Sequence, residues 1–397
     1  MYVSAVGKGT KQKRSGSLQG AVSRVLFDLE LTTSTSSILI VGDGNLSYAA
    51  SLVAWNESHE NRQINIVASV LEDSEEALIK VYPSAVQSLS VIRSVNYACI
   101  QFGVDAKQLA TIFCMKFDRI VFNFPQTPPC ERQHRKVQYQ RKLLSGFFRG
   151  AVDEAVLAKG GRIFVSLLAG QGGMELEGKH RRPRKGDSWQ IVEQAASAGL
   201  IIVSAPFFCE QPVEYDFCST LQSHYKAVGF RGNDEGFKIN NSRVYILERA
   251  CYTVPCFFPS GGCDIKNRGA ACGEELPSAI QLEPPHYTFD VSFWDISTIN
   301  ATKKDEAFSE FAKEIAARHG VNLVVVLREE KGGGNCSYID PSSGRRTRNY
   351  TLELTAQART ALSRRAAIAL TDAIYAEAAV AIQSYFQSRK APSGSPT

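Results

Sequence analysis

The sequence predicts an α/β protein: a doubly wound, seven-stranded, mostly parallel sheet followed by a smaller α+β unit. Three observations carry this. Between residues 38 and about 248, short apolar runs alternate with amphipathic stretches, which calls for crossover connections between parallel strands. The first run, Ile38–Val41, ends in the turn Gly42-Asp43-Gly44 and leads straight into a helical stretch. Beyond residue 249, Gly, Pro and Cys crowd together, and periodicity returns only at Tyr287.

Taken in order, the strands are Ile38–Val41, Ile64–Leu71, Ala98–Val104, Arg119–Phe124, Arg162–Leu168, Leu200–Ala205 and Arg243–Glu248. Helices are expected at Leu46–Trp55, from the acidic start Glu72–Glu76, from about Gln140 to Leu157, and at Ser188–Ala198. In the second unit, Tyr287–Trp294 alternates as a half-buried strand. Asp305–Arg318 carries Phe308, Phe311 and Ile315 at helical spacing. Leu323–Leu327 is a strand, Lys331–Gly344 a loop and Asn349–Thr355 a strand. Ser363 caps a last helix whose stripe includes Ile374 and Ile382. The order β-α-β-β-α, with a further short strand, predicts a ferredoxin-like sandwich. The domain reading is a basic arm (1–36), the α/β domain (37–248), a Cys/Gly/Pro-rich linker (249–283), the α+β domain (284–388) and a tail (389–397).

Composition narrows the class. With 44% hydrophobic and 21% charged residues over 397, the chain has the balance of a globular protein able to bury a sizeable core. No apolar run is long enough to span a bilayer, so no membrane partner is expected. Residues 1–27 hold Lys8, Lys11, Lys13, Arg14 and Arg24 and no acid, which suits an arm touching nucleic acid or a transit peptide. Cys251, Cys256, Cys263 and Cys272 are spaced more widely than C-x2-C zinc pairs. They read as free thiols in a linker, and no metal is expected.

The candidate chemistry lies at strand ends. Gly42 and Gly44 allow a tight turn and expose a helix N-terminus to the polar part of a cofactor. Glu72 and Asp73 end the second strand, where an acid can accept from ribose hydroxyls, and Asp105 follows the third, beside an adenine. Each is also a natural helix cap. Asn123-Phe124-Pro125 ends the fourth strand at the carboxyl edge, offering an amide, an aromatic face and a fixed turn. Two basic stretches leave the same edge: Arg132, His134, Arg135, Lys136, Arg141 and Lys142, then Lys179, His180, Arg181, Arg182, Arg184 and Lys185. Positive loops around a cofactor edge point to a phosphate-rich substrate, RNA or DNA.

These residues carry a resemblance. Ile38-Leu39-Ile40-Val41-Gly42-Asp43-Gly44-Asn45-Leu46-Ser47-Tyr48 is similar to a signature that usually reads LLxVGEGNFSF. Lys80–Pro83, Gly103–Ala106, Phe117–Pro125, Leu143-Leu144-x-x-Phe147-Phe148 and Trp189–Ile191 follow in matching order. The stretch of about 38–248 thus resembles the Rossmann-like methyltransferase domain of large-subunit rRNA uridine-N3 methyltransferases. The resemblance implies S-adenosyl-L-methionine as cofactor, with Gly42, Asp43, Gly44, Asn45 and Ser47 at its methionine end, Glu72 or Asp73 at the ribose and Asp105 at the adenine side. Asn123, Phe124 and Pro125 would then form the catalytic edge facing the target base. The sequence departs from the family's pattern at Asp43, usually Glu, at Gln126, usually His, and in the longer basic loop 171–187.

Residues 284–388 resemble the ferredoxin-fold anticodon-binding domain of phenylalanyl-tRNA synthetases, through Phe289–Phe293, Tyr350–Leu354 and Arg359–Ser363. That resemblance implies RNA binding, with Arg345, Arg346 and Arg348 as phosphate contacts. The pairing of the two domains is that of ferredoxin-fold anticodon-binding-domain-containing proteins. The expected function is uridine-N3 methylation of rRNA in ribosome biogenesis, with pre-ribosomal particles or tRNA as partners, in nucleolus, cytoplasm or mitochondrion. The alternatives are a methyltransferase-fold RNA-binding factor without turnover and a tRNA-binding accessory protein.

Overall fold

The computed structural model describes residues 29, 36–57, 64–128, 136–174, 188–208, 227–229, 234–236, 239, 241–257, 281–295, 300–327, 339, 341–342, 344–383 and 386–388. The expected basic arm, most of both basic loops, most of the linker and the tail lie outside the described residues.

The first unit is built on seven strands: β1 (Ser36–Ile40), β2 (Ile64–Ser69), β3 (Ala98–Gln101), β4 (Phe117–Asn123), β5 (Leu157–Leu167), β6 (Leu200–Ser204) and β7 (Arg243–Arg249). They form one mixed sheet in the order β3-β2-β1-β4-β5-β7-β6, with β7 antiparallel to both of its neighbours. This is a methyltransferase-like α/β sheet. The order reverses at β1, which pairs in parallel with β2 on one side and β4 on the other. Such a switch point opens a crevice at the carboxyl ends of the strands.

Alternation makes both faces apolar. Ile38 and Ile40 join the core on one face while Leu39 and Val41 join the core on the other; Val121 and Phe122 divide the same way. Helices α1 (Ser47–Glu57), α2 (Glu75–Val81), α3 (Ala85–Arg93), α4 (Leu109–Ile112), α5 (Lys136–Ala151) and α6 (Ile191–Ala196) cover them.

Among the boundaries that differ from the sequence expectation, two at the end of α5 and the start of β5 have a local cause. The helix expected to reach Leu157 stops at Ala151, because Asp153 accepts from the Ala155 N–H at 2.9 Å and builds a turn. Leu157 opens β5 instead, five residues before the expected Arg162. The pairing register of β4 and β5 shifts between Phe117 and Arg119, opposite the segment that holds Gly160 at φ +73°. This is a bulge, and its glycine resembles a turn in the sequence. Helix α3 carries no expectation of its own. Its apolar positions Leu89 and Ile92 are buried beneath a largely polar surface.

The second unit contains β9 (His286–Asp295), α7 (Ala301–Arg318), β10 (Val321–Leu327), β11 (Arg346–Ala356), α8 (Arg364–Ala381) and β13 (Phe386–Ser388). The four strands form an antiparallel sheet ordered β10-β11-β9-β13. Ser363 caps α8 as expected, its Oγ accepting from the Ala366 N–H at 3.2 Å. The core is aromatic: Phe293 stacks on Tyr375 at 4.6 Å between ring centres and meets Phe308 edge-on at 5.2 Å.

The units are joined through a short parallel pair, β8 (Tyr252–Thr253) with β12 (Thr360–Ala361). Glu193 of α6 accepts from the Arg364 N–H and from the Tyr287 hydroxyl. A carboxylate at a helix N-terminus is favourably placed against the helix dipole.

Candidate cofactor and substrate site

The switch point gathers the predicted strand-end residues along one edge. The loop after β1 is tied to its neighbours by backbone bonds: Val41 N–H to the Val121 carbonyl at 2.8 Å, and Asp43 N–H to the Ser69 carbonyl at 3.0 Å. Gly42 has φ +60° and is exposed. A Cβ there would stand 3.0 Å from Phe122 Cε2, so a larger residue would face both backbone strain and a collision. Gly44, at φ +40°, lies under Val228, whose Cγ2 would be 3.1 Å from an added Cβ. Leu46 and Phe124 adopt positive φ without being glycine (62° and 48°). Positive φ also occurs at Gln190, Asp234, Asn241, Glu283 and Arg359, so backbone strain by itself does not mark this edge.

The side chains of the loop turn inward. Asp43 accepts the N–H of Ala49 at 2.7 Å and that of Tyr48 at 3.3 Å, capping α1. Burial pushes its carboxyl up to about 7, against the lowering effect of those two N–H groups. Asn45 donates to Ser84 Oγ at 3.1 Å and accepts from the Ser47 N–H at 3.3 Å, and both Asn45 and Ser47 are buried. Backbone groups at Gly42 and Gly44, rather than the Asp43 carboxylate, are therefore what this loop offers a cofactor. That refines the expected role of Asp43: it positions the loop.

Glu72 is buried, with its carbonyl accepting from the Gly103 N–H at 2.8 Å; Asp73 beside it is exposed. Asp105 is half-buried and caps the short turn Ala106–Gln108, accepting from the Lys107 N–H at 2.9 Å and pairing with Lys107 Nζ at 3.2 Å. The cap and the cofactor-edge position thus fall on one residue.

Asn123 closes the edge. Its Oδ1 accepts from Ser166 Oγ at 2.6 Å, which fixes the amide, while its Nδ2 is buried and has no partner among the described residues. A buried unpaired donor is costly. The Tyr48 hydroxyl lies beside this amide, which works against the rise in its pKa caused first by burial and then by the Asp43 carboxylate. The Phe124 ring is buried and meets Phe208 edge-on at 5.0 Å between centres. The expectation that it faces a base is corrected: a strained backbone turns it into the core, and Pro125 follows at the edge.

Three groups at the site have no counterpart in the sequence reading. Ser166 orients Asn123, Tyr48 approaches it, and the segment around Val228 covers Gly44. That segment is anchored by Asp234, which accepts from the Ser84 N–H and hydroxyl, both at 2.7 Å. Only the turn-like Asn233-Asp234-Glu235-Gly236 hints at it in the sequence.

Of the predicted RNA contacts, Arg132, Arg135, Lys179, Arg181, Arg182, Arg184 and Lys185 lie outside the described residues. Lys136 is exposed at the start of α5, and Arg345 and Arg346 are exposed before and at the start of β11. Arg348 is corrected: it is paired with Asp305, which also accepts from the Tyr350 hydroxyl at 2.8 Å, so its charge is used within the fold.

Residues 39–217 match the family described as BMT5-like, rRNA (uridine-N3-)-methyltransferase BTM5-like. An uncharacterized protein of Arabidopsis thaliana is 31% identical over 232 residues, covering 55% of this chain and 95% of its own. The chain belongs to the BMT5-like family. It is also 33% identical over 223 residues to the ferredoxin-fold anticodon-binding domain-containing protein 1 homolog of Mus musculus, covering 55% of this chain and 32% of that one. The chain thus spans about a third of the length of its mouse and human relatives (32% and 31%). Among solved structures, TrmN from Thermus thermophilus superposes with a TM-score of 0.31 at 18% identity, over 59% of this chain and 50% of that one.

The edge of this BMT5-like domain fits S-adenosyl-L-methionine on its own chemistry. Exposed glycine backbone, an acid after β2, an acid after β3 and an unpaired buried amide after β4 stand in order around one switch point. Among the described residues no cluster of His, Cys, Asp or Glu could hold a metal ion, and no helix is long and apolar enough to cross a membrane.

Proposed function

We propose that this chain is an S-adenosyl-L-methionine-dependent RNA methyltransferase that modifies N3 of a uridine in rRNA. The observation that carries it is the Asn123 amide: held on one side by Ser166 and unpaired on the other, at the strand end that closes the cofactor edge. Bound S-adenosyl-L-methionine supplies an electrophilic methyl group. The glycine loop would hold its amino-acid end by backbone N–H groups, Glu72 or Asp73 its ribose hydroxyls, and Asp105 its adenine side.

Uridine N3 is a nucleophile only after losing its proton, so the residues around the base must hold it in line and favour the deprotonated form. Asn123 Nδ2 is a donor suited to a uracil carbonyl oxygen, where negative charge gathers as N3 loses its proton. The target must leave any helix to reach the edge. Asp43 accepts one N–H on each oxygen at the N-terminus of α1 while burial raises its carboxyl to about 7, so it keeps lone pairs and basicity suited to taking that proton.

The second unit would position the RNA. Its β-α-β-β-α-β order and antiparallel sheet support a ferredoxin-like, anticodon-binding-type domain. We place the protein in ribosome biogenesis, on rRNA or pre-ribosomal particles, in nucleolus or cytoplasm. Incubation of the protein with methyl-labelled cofactor and total RNA, followed by nucleoside analysis, tests this reading. Label in 3-methyluridine from rRNA is the expected result; label in another nucleoside, or none with folded protein, overturns it.

A further inference from the structure

A groove of about 590 Å³ lies beside the cofactor edge, between α5, the Ala106–Gln108 turn and α6. Lys107, Arg141, Lys142 and Arg149 line it together with Ser145 and Gln194. Its volume is that of a ligand site, its lining side chains end in cationic or hydrogen-bonding groups, and their aliphatic stems form much of its surface.

The close fit of the turn against α5 has a cause in the sequence. A Cβ at Gly146 would stand 2.6 Å from Lys107 Cγ, and one at Gly150 would stand 3.3 Å from the Leu109 backbone nitrogen. Mid-helix glycine costs about 1 kcal/mol relative to alanine. Here it lets the Lys107 stem lie across α5 with its ammonium at the groove.

The four charges divide into two kinds. Lys107 is paired with Asp105, and Arg141 donates to the Ser188 carbonyl from Nε and Nη2 at 2.9 and 2.6 Å. Lys142 and Arg149 are exposed and form no ion pair among the described residues; Arg149 touches only the Ser145 carbonyl, at 3.2 Å. Glu193 on α6 is engaged elsewhere, accepting from Arg364 and Tyr287.

We propose that this groove is a phosphate-backbone track that carries single-stranded RNA past the Asp105 side of the cofactor edge. Exposed cations at Arg149 and at Lys142, whose Nζ lies 6.0 Å from the Tyr139 ring centre, with Ser145 and Gln194 as uncharged donors, suit a chain of phosphates. An acidic protein partner would need apolar anchors, and among the described residues no hydrophobic side chain lines the groove. The inference rests on the RNA-substrate reading above and names where the strand runs.

The test is fluorescence anisotropy of a labelled oligouridylate with the full chain across a salt series. The double variant Lys142→Ala/Arg149→Ala should bind about tenfold more weakly at moderate salt, with a log–log salt slope shallower by about 1.4. Gly146→Ala should weaken binding in the same direction by displacing Lys107. A charge-matched control, Lys116→Ala/Lys159→Ala at exposed positions just before β4 and near the start of β5, on the sheet edge opposite the cofactor site, should bind like wild type. Wild-type affinity and slope in the groove variant, or equal affinity of the wild type for polyglutamate, overturn the track. A wild type that binds cofactor but no RNA overturns the substrate reading itself.

Discussion

The cofactor edge and the core of the second unit handle polar groups in opposite ways. In the second unit they are paired: Arg348 and Tyr350 converge on Asp305, Lys304 pairs with Asp295, and Tyr375 donates to the Ser292 carbonyl at 3.0 Å. At the edge, Asn123 Nδ2 has no partner among the described residues, Asp43 is a carboxyl driven up to about 7, and Leu46 and Phe124 sit in the left-handed region. A fold can support such costs only where surrounding structure over-determines them, and they gather at sites built for a ligand. One region pairs its polar groups within the fold; the other keeps a buried donor, Asn123 Nδ2, with no partner among the described residues.

The largest expected effect belongs to the satisfied region. Phe293→Ala removes the ring that meets Tyr375 and Phe308 and should cost about 3–5 kcal/mol in denaturant unfolding. Its folded fraction should still bind cofactor with wild-type affinity; a parallel loss of affinity would break the contrast. Gly42→Ala comes next, at about 1–2 kcal/mol, from a side chain at φ +60° pressed toward Phe122. Unlike the first variant, it should lower cofactor affinity more than stability, as read by calorimetry beside a thermal melt.

Asn123→Ala should change stability by about 1 kcal/mol or less, since it frees one Ser166 hydroxyl and removes a donor that had no partner. Methyl transfer should nonetheless be abolished. Stability and activity lost in proportion would mean that Asn123 is merely structural.

A further effect is a slope. The Asp43 carboxyl titrates at about 7 in the fold against 3.8 as the ordinary value, so the folded chain holds a proton that the unfolded chain has lost. That stabilisation is present below the ordinary value and is lost as pH rises toward and through 7. Asp43→Asn should flatten this part of the melting-temperature profile between pH 4 and 7. An unchanged profile would place the carboxyl in contact with water.

Much of the architecture is legible in the sequence because it depends on apolar period. Ile38–Val41 and Arg119–Phe124 announce buried strands, and Ser363 announces α8. The bulge in β5 is not legible, because Lys159-Gly160-Gly161 has the composition of a turn, and Val152 and Val156 prolong the pattern of α5 past its end. Site positions are legible as strand ends, but side-chain direction is not. Asp43 turns to the helix and Phe124 to the core because of backbone geometry that residue type alone does not fix. The partnership of Asn123 with Ser166 arises only when β4 pairs with β5.

The central claim is that the edge at Gly42, Asp105 and Asn123 is a cofactor site. Calorimetric titration of the purified full chain with S-adenosyl-L-methionine tests it most directly. The account predicts saturable binding at one site per chain, weakened in Gly42→Ala. A folded protein that gives no binding heat across a range of temperatures would contradict it.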